Sequence, residues 1–573
     1  MLTDRSVLAG PDSTRQAFWL LMLMGLVILG AGLGLRDPWP ADEPRFALIA
    51  KQMVESGQWL FPFRGGEIYP DKPPLFMWAI ALFYSLTGSL RVAFLLPNLL
   101  AGLGTLALVF DISRRLWDRA TAFRAGLLLL LTLQFAVQAK AAQIDALVTF
   151  FITLGVYGFL RFLLTDAGWR WYYLGWFAAG LGIITKGVGI LAALVLIPAL
   201  WTHRAEIRAA SRGAWLKALA GPLAMLAAIG LWLVPMVLAV QYHADPVYTA
   251  YRDNILFRQT VTRYAKSWHH VKPFWYYLTG VIPAFWLPLS LFIPWLIWQC
   301  RDAFRQGERR VILLAGYILL VLLFFSVSPG KRGVYITPAT PALALLAAPW
   351  LPLLLQRRWP ARLWQGLAWL LAGVMLILGV VAALHVNPKL AKHLAELGGD
   401  PWPLLLSTGV CATLAAWLCR RAPLMAVSSV FAVIWLHWSL WGYPLLNPVR
   451  TPQGIMEQVR EHIPDSEPML ILSFREQFLL FGQRPIEHWP YLMTDQDQIP
   501  ASLSWLQHGD GHRWLLAPAR RVQQCFDTAQ AIPLGNRHGE AWTLFPQRAL
   551  LPACVTSTPV DTPAPFHYSP PRG

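Results

Sequence analysis

Runs of twenty or more apolar residues constrain this chain more than any other feature. QAFWLLMLMGLVILGAGLGL (16–35), WLKALAGPLAMLAAIGLWLVPMVLAVQY (215–242) and WYYLTGVIPAFWLPLSLFIPWLIW (275–298) carry a single charge between them. A helix of about 20 residues spans a hydrocarbon core of about 30 Å, and a closed helix satisfies its own backbone there. Composition agrees. Of 573 residues, 56% are hydrophobic and 14% charged, with mean hydropathy +0.45. A soluble domain carries roughly 25% charge. The sequence predicts a polytopic α-helical membrane protein. It excludes a soluble enzyme, a disordered chain and a disulfide-stapled secreted domain.

The formal charge of +17 does not form one patch, so it gives no nucleic-acid footprint. It alternates instead. Candidate spans fall near 16–35, 75–112, 121–138, 145–164, 171–185, 187–202, 216–241, 275–299, 310–328, 334–356, 363–386, 402–420 and 423–443. Nineteen Lys and Arg residues lie in one set of short loops, among them Arg114, Arg115, Arg161, Arg204, Arg301, Arg357 and Arg420. The opposite loops hold six: Lys140, Lys186, Lys331, Arg332, Lys389 and Lys392. Cytoplasmic loops are the basic ones. The pattern predicts thirteen spans, the N-terminus inside and the C-terminus outside. It holds only if 75–112 crosses once, although Gly88-Ser89 could split that stretch in two. The first run exceeds the 7–15 residues of a secretory h-region, so cleavage is not expected. Cys525 and Cys554 both fall in the exported tail, where a bridge and two free thiols stay open alternatives.

A transmembrane domain is expected over 1–445, with outer loops at 36–74 and 242–274. In the first loop PRFALIAKQMVESG places Phe46, Ile49, Ala50, Met53 and Val54 on one helical face, which suits an interfacial helix. From 446 to 554 the character becomes that of a small α/β domain: an amphipathic helix at 451–463, then strand-like PMLILSF, RWLLAP and AWTLF. The Pro-rich tail 555–573 is expected to be disordered.

Charges at a membrane boundary are functional candidates, and on this topology several gather on the outer face. Asp42, Glu43 and Arg45 follow the first span, and Asp71-Lys72 precede the second. Asp145 opens QIDALVTFF, Lys186 interrupts GIITKGVGI, and Lys331-Arg332 lie in FFSVSPGKRGVYI. Arg258, Arg263, His269 and His270 lie before PFWYY. Cations there suit a lipid phosphate, and carboxylates suit a sugar or an acceptor proton. Blander readings stand beside these: a snorkelling Lys186, Asp145 as a helix N-cap, the histidines as part of an aromatic belt, Asp71-Lys72 as a turn pair. No GxxxxGK[ST], HExxH or CxxC pattern is present, so no P-loop machine, zinc site or other cofactor is expected. A transporter or flippase is the competitor from another class, but the charges gather at one face and not at the midplane.

ADEPRFALIAKQMVESGQWLFP and YPDKPPLFMW, followed in order by QIDALVTFF, GIITKG, HHVKPFWYY and FFSVSPGKRGVYI, resemble the bacterial polyprenyl-phosphate-sugar glycosyltransferases. These share the fold of the protein O-mannosyltransferases (the GT-C type). The likeness is nearest to the lipid A aminoarabinose transferases. It implies a thirteen-helix transferase with a periplasmic C-terminal domain. The donor would be a sugar on undecaprenyl phosphate, and the acceptor lipid A or another envelope glycan or protein. The protein would act as a monomer without a cofactor or catalytic metal. It implies Asp42 as essential to catalysis, Lys72 on the donor phosphate, Asp145 in the same cavity, and Lys331 and Tyr335 near the lipid phosphate. With the outer-face charges, the expected site is Asp42 and Asp145 as catalytic, and Lys72, Asp71, Glu43, Arg45, Arg258, Arg263, His270, Lys331 and Tyr335 as donor- or substrate-binding. Two departures from the family pattern bear on sugar and acceptor identity: Asp71 where Glu is usual, and KRGVY where a KLPTY-like string is usual.

Overall fold

The computed structural model describes residue 8 and residues 10–257, 271–384, 400–554 and 564–570. Among them, seven helices are long and apolar enough to cross a membrane, or nine if each of two sharply bent pairs is one span. Four more apolar helices are shorter. Helix length alone therefore supports seven to nine crossings among the described residues and does not confirm the expected thirteen. The apolar runs are real, but prolines and 3₁₀ turns break several of them.

The helices that place the site are α1 (Thr14–Gly30), α2 (Glu43–Ser56), α3 (Leu75–Thr87), α4 (Leu96–Leu116), α5 (Ile144–Leu164), α6 (Trp169–Lys186) and α7 (Arg309–Val327). Contacts between connecting segments sort them into two ends of the bundle. At one end Lys140 donates to the carbonyls of Ile28 and Ala31, both at 2.8 Å, and so caps the C-terminus of α1. Arg91 pairs with Asp37 at 2.7 Å, and Asn447 donates to the same carboxylate. At the other end Asp111 meets Arg115 and Arg161, Arg309 meets Glu206, and Arg310 donates to the Leu116 carbonyl. This partition matches the charge alternation in the sequence.

It also settles the stretch 75–112. Phe76 of α3 packs on Phe46 at 5.2 Å, while Arg91, just beyond α3, pairs with Asp37. Both ends of α3 thus lie at one face. With 13 residues it is about 20 Å long, so it runs along the end of the bundle beside α2, and α4 makes the only crossing. The expected interfacial helix forms as α2, with Pro44 in its first turn. Its apolar face is covered by protein: Phe46, Ile49 and Met53 pack with α3 and Ile144, while Leu48 enters the core of the C-terminal domain.

That domain is a six-stranded mixed sheet in the order β6-β7-β5-β3-β4-β8. The strands are β3 (Met469–Ile471), β4 (Ile486–His488), β5 (Trp514–Pro518), β6 (Ile532–Arg537), β7 (Glu540–Pro546) and β8 (Phe566–Tyr568). β3 is parallel to β4 and β5, and the remaining pairings are antiparallel. A short helix α8 (Glu476–Leu480) follows β3. Cys525 and Cys554 form a disulfide, which decides between the two open alternatives. The tail corrects one expectation: inside the segment expected to be disordered, Phe566–Tyr568 adds an edge strand to β4. The strand is held because Lys51 donates to the Tyr568 hydroxyl at 2.8 Å. Residues 555–563 and 571–573 lie outside the described residues.

A two-residue hairpin in the first loop, β1 (Phe63–Arg64) and β2 (Glu67–Ile68), docks the bundle to this domain. Its turn is Gly65-Gly66, and the His488 ring lies 2.7 Å from the Gly65 carbonyl. Gly65 has φ +68°, and a Cβ there would fall 2.5 Å from His488 Nε2. Only glycine permits both that conformation and that approach.

Candidate active site

Four segments distant in sequence meet beneath the C-terminal domain. Asp42, the residue before α2, lies 3.2 Å from Arg332 Nη2 and 3.6 Å from Arg45 Nη1. Arg45 sits one turn along α2, which brings it back over Asp42. Asp145, in the first turn of α5, forms an ion pair with Lys186, the last residue of α6. The Lys186 ammonium stands 4.7 Å from the Tyr335 ring centre. Arg332 joins the two pairs. Burial opposes its charge, but the Asp42 carboxylate, helped by Tyr335 and Asp145, raises the guanidinium above its ordinary value. The result is a row of alternating charge, Arg45–Asp42–Arg332–Asp145–Lys186, with a tyrosine ring beside it.

Asp71 lies beside Tyr69, whose phenol is raised far above its usual range by burial and then by Asp71. Tyr69 in turn faces Arg45 and Arg64, so Asp71 approaches the row from the α2 side. Asp71 and Lys72 are both half-buried.

Known proteins bear on this geometry. Residues 71–232 match the family model described as dolichyl-phosphate-mannose-protein mannosyltransferase. An undecaprenyl phosphate-alpha-4-amino-4-deoxy-L-arabinose arabinosyl transferase of Aeromonas salmonicida is 30% identical over 563 residues, covering 93% of this chain and 90% of that one. A second protein of that name, from Pseudomonas fluorescens, is 32% identical over 509 residues, 85% of this chain and 83% of its own. The chain belongs to this family. The Pseudomonas aeruginosa relative is 33% identical over 345 residues, and the match spans 59% of its length. The crystal structure of ArnT from Cupriavidus metallidurans bound to undecaprenyl phosphate shares the fold, with a TM-score of 0.73 at 21% identity over 94% of this chain and 99% of that one.

The structure gathers some of the family's expected site residues and redirects others. Asp42, Asp145, Arg45 and Tyr335 meet as described. Asp145 is not an N-cap: Gln143 holds that position, and the carboxylate goes to Lys186. Glu43 turns inward. It is buried and accepts from both Arg36 Nη1 and Arg36 Nη2, the latter at 2.7 Å, from the Trp39 N–H at 2.8 Å and from the Ala142 N–H at 2.9 Å. Four short polar contacts of this kind use up a carboxylate, so Glu43 clamps α1 to the start of α5 and does not face substrate. Lys331 is redirected as well. Its ammonium donates to the carbonyls of Lys272 and Ser328 and staples its own loop, while its neighbour faces Asp42. Arg332 is extended (φ −119°, ψ 144°), and successive side chains in extended backbone point to opposite sides. Arg258, Arg263 and His270 lie outside the described residues.

Sequence reasoning counted Lys186 and Arg332 among the outer-face charges but did not assign them as site residues or pair them with a carboxylate. Lys186 alone looks like a boundary lysine, and its partner Asp145 is 41 positions away. Only the packing of α5 against α6 shows the pair. For Arg332 the signal was present: a second cation beside Lys331, where the family pattern shows none.

Proposed function

We propose that this protein moves a sugar, 4-amino-4-deoxy-L-arabinose, from an undecaprenyl-phosphate carrier to lipid A on the periplasmic side of the bacterial inner membrane. The meeting of Asp42 with Arg332, beside the Asp145–Lys186 pair, carries this reading, because it puts fixed cations and one accessible carboxylate at a single membrane boundary. The acceptor oxygen attacks the anomeric carbon, and the bond from that carbon to the phosphate oxygen breaks. The electron pair leaves with polyprenyl phosphate. Charge grows on the leaving phosphate, and preorganised cations stabilise it. Lys186, Arg332 and Lys72 are the groups for that role.

A hydroxyl acceptor must also lose a proton. Asp42, whose side chain is 20% exposed, is the base for it, whereas the Asp145 carboxylate is occupied by Lys186. A phosphate acceptor is already ionised, and Asp42 then orients the sugar through its hydroxyl and amino groups. The test is mass spectrometry of lipid A from cells with wild-type protein, with Asp42→Asn and with none. Aminoarabinose should appear with the wild type alone. Asparagine keeps the shape of Asp42, whose side chain meets only polar partners in Arg332 and Arg45, so the variant should still fold. Product at wild-type level from Asp42→Asn removes this residue from the chemistry, and product without the protein removes the function.

A further inference from the structure

Glu476 belongs to the C-terminal domain, 431 positions from the arginine it holds. It opens α8, five residues beyond the end of β3, and is 6% exposed. Its Oε1 accepts from Arg45 Nε at 2.9 Å and lies 3.7 Å from Arg64 Nη1. Arg45 turns its remaining face to Asp42, at 3.6 Å. One guanidinium is therefore shared between a carboxylate of the domain and the carboxylate of the site, and it sits nearer the first.

The surroundings keep that arrangement in place. Arg64 lies 3.8 Å from the Tyr491 ring centre, and Arg45 5.8 Å from it. Glu67 accepts the Tyr491 N–H at 3.0 Å. Phe474 stacks on His488 at 4.0 Å, and that ring holds the hairpin turn. Of these residues, Phe474, Glu476 and Tyr491 follow the carboxyl ends of β3 and β4. Parallel sheets hold their ligands at that edge; here it grips the loop carrying Asp42. The charged groups around Asp42 are Arg45 and Arg332, with the Asp145–Lys186 pair beyond Arg332. Around Arg45 they are Glu476, Asp42 and the phenols of Tyr69 and Tyr491.

We propose that Glu476 is a positioning residue: the C-terminal domain uses it to hold Arg45 back from Asp42, leaving that carboxylate in hydrogen-bond contact with Arg332 alone and open to substrate. This rests on the transfer reading above. Without the Glu476 charge, a buried arginine has lost its main anion, and Asp42 is the anion beside it. A guanidinium and a carboxylate form a two-bond fork when nothing competes. That fork would occupy the lone pairs that a base or a sugar-orienting group needs.

The experiment uses the full-length protein in lipid nanodiscs, with undecaprenyl-phosphate-linked aminoarabinose as donor and lipid A as acceptor. Transfer rates are measured against pH for wild type, Glu476→Gln, Glu476→Asp and Gly65→Ala. Gly65→Ala loosens the docking of the domain without altering charge. Glu476→Gln should lower kcat roughly tenfold, within the ~100-fold that a 1 Å misplacement can cost. Its donor KM should change by less than about twofold, since ground-state binding is retained. The acid limb of its pH–rate profile should move to lower pH, because Asp42 then carries two close guanidiniums. Glu476→Asp should recover part of the rate. Gly65→Ala should melt at lower temperature with its acid limb unmoved. Wild-type kcat and acid limb in Glu476→Gln overturn the proposal while leaving transfer intact, as does a loss in Glu476→Gln and Gly65→Ala that simply follows their melting temperatures. A wild-type protein that forms no glycosidic bond overturns the transfer reading and, with it, this one.

Discussion

At the scale of residues, the site consists of partners that neutralise one another where water is scarce. Asp145 is 7% exposed, and an ionised carboxylate is costly there unless a cation answers it. Lys186 is that cation. Removing one member of a buried ion pair costs roughly 3–5 kcal/mol, whereas replacing both by neutral groups costs far less. Lys186→Met should therefore lower the melting temperature sharply. Lys186→Met with Asp145→Leu should restore most of it, and neither variant should transfer sugar. Thermal unfolding in detergent beside a transfer assay reads both. A double variant as unstable as the single one would show that the pair is not what holds this corner together.

At the scale of elements, the β1–β2 hairpin is the piece on which docking depends. Alanine at Gly65 must adopt a left-handed conformation and push into His488, which together should cost more than about 2 kcal/mol. Limited proteolysis should then release the C-terminal domain faster. His488 makes the same contact dependent on pH. Burial, only partly offset by the carbonyls it meets, holds its imidazole below the ordinary 6.5, so the folded domain prefers the ring neutral. That stability is complete above pH 6.5 and is lost as pH falls from 6.5 toward the lower folded value, by up to about 1.4 kcal/mol per unit. Melting curves at pH 7.5 and pH 5 should separate more for wild type than for His488→Gln. The Cys525–Cys554 bridge closes a separation of 29 residues, for which chain entropy gives about 3–4 kcal/mol. Reductant should lower the melting temperature of wild type and leave Cys525→Ser with Cys554→Ala unchanged.

At the scale of the whole molecule, the two ends of the bundle differ in charge and in task. One end carries Arg114, Arg115, Arg161 and the arginines near Arg309. The other carries the site and the domain above it. The basic end should face the cytoplasm, with the C-terminal domain outside. A C-terminal alkaline phosphatase fusion should be active and a C-terminal green fluorescent protein fusion dark. The reverse result would turn the molecule over and put the site on the wrong side for an exported acceptor.

The sequence alone determined that this is a helical membrane protein with a small α/β domain after about residue 445. The reason is that twenty-residue apolar runs, basic loops and strand-length runs are local patterns. It also marked Asp42, Asp145 and Tyr335, because a charge or a motif stands out against an apolar background within a few residues. Tertiary structure alone decided that Lys186 answers Asp145, that Arg332 and not Lys331 faces Asp42, and that Glu43 is spent on Arg36. It alone joined Glu476 to Arg45. Each of these is a choice among partners tens to hundreds of positions apart. Such a choice is made by which helices pack together and which way an extended residue points, and no short stretch of sequence carries that information.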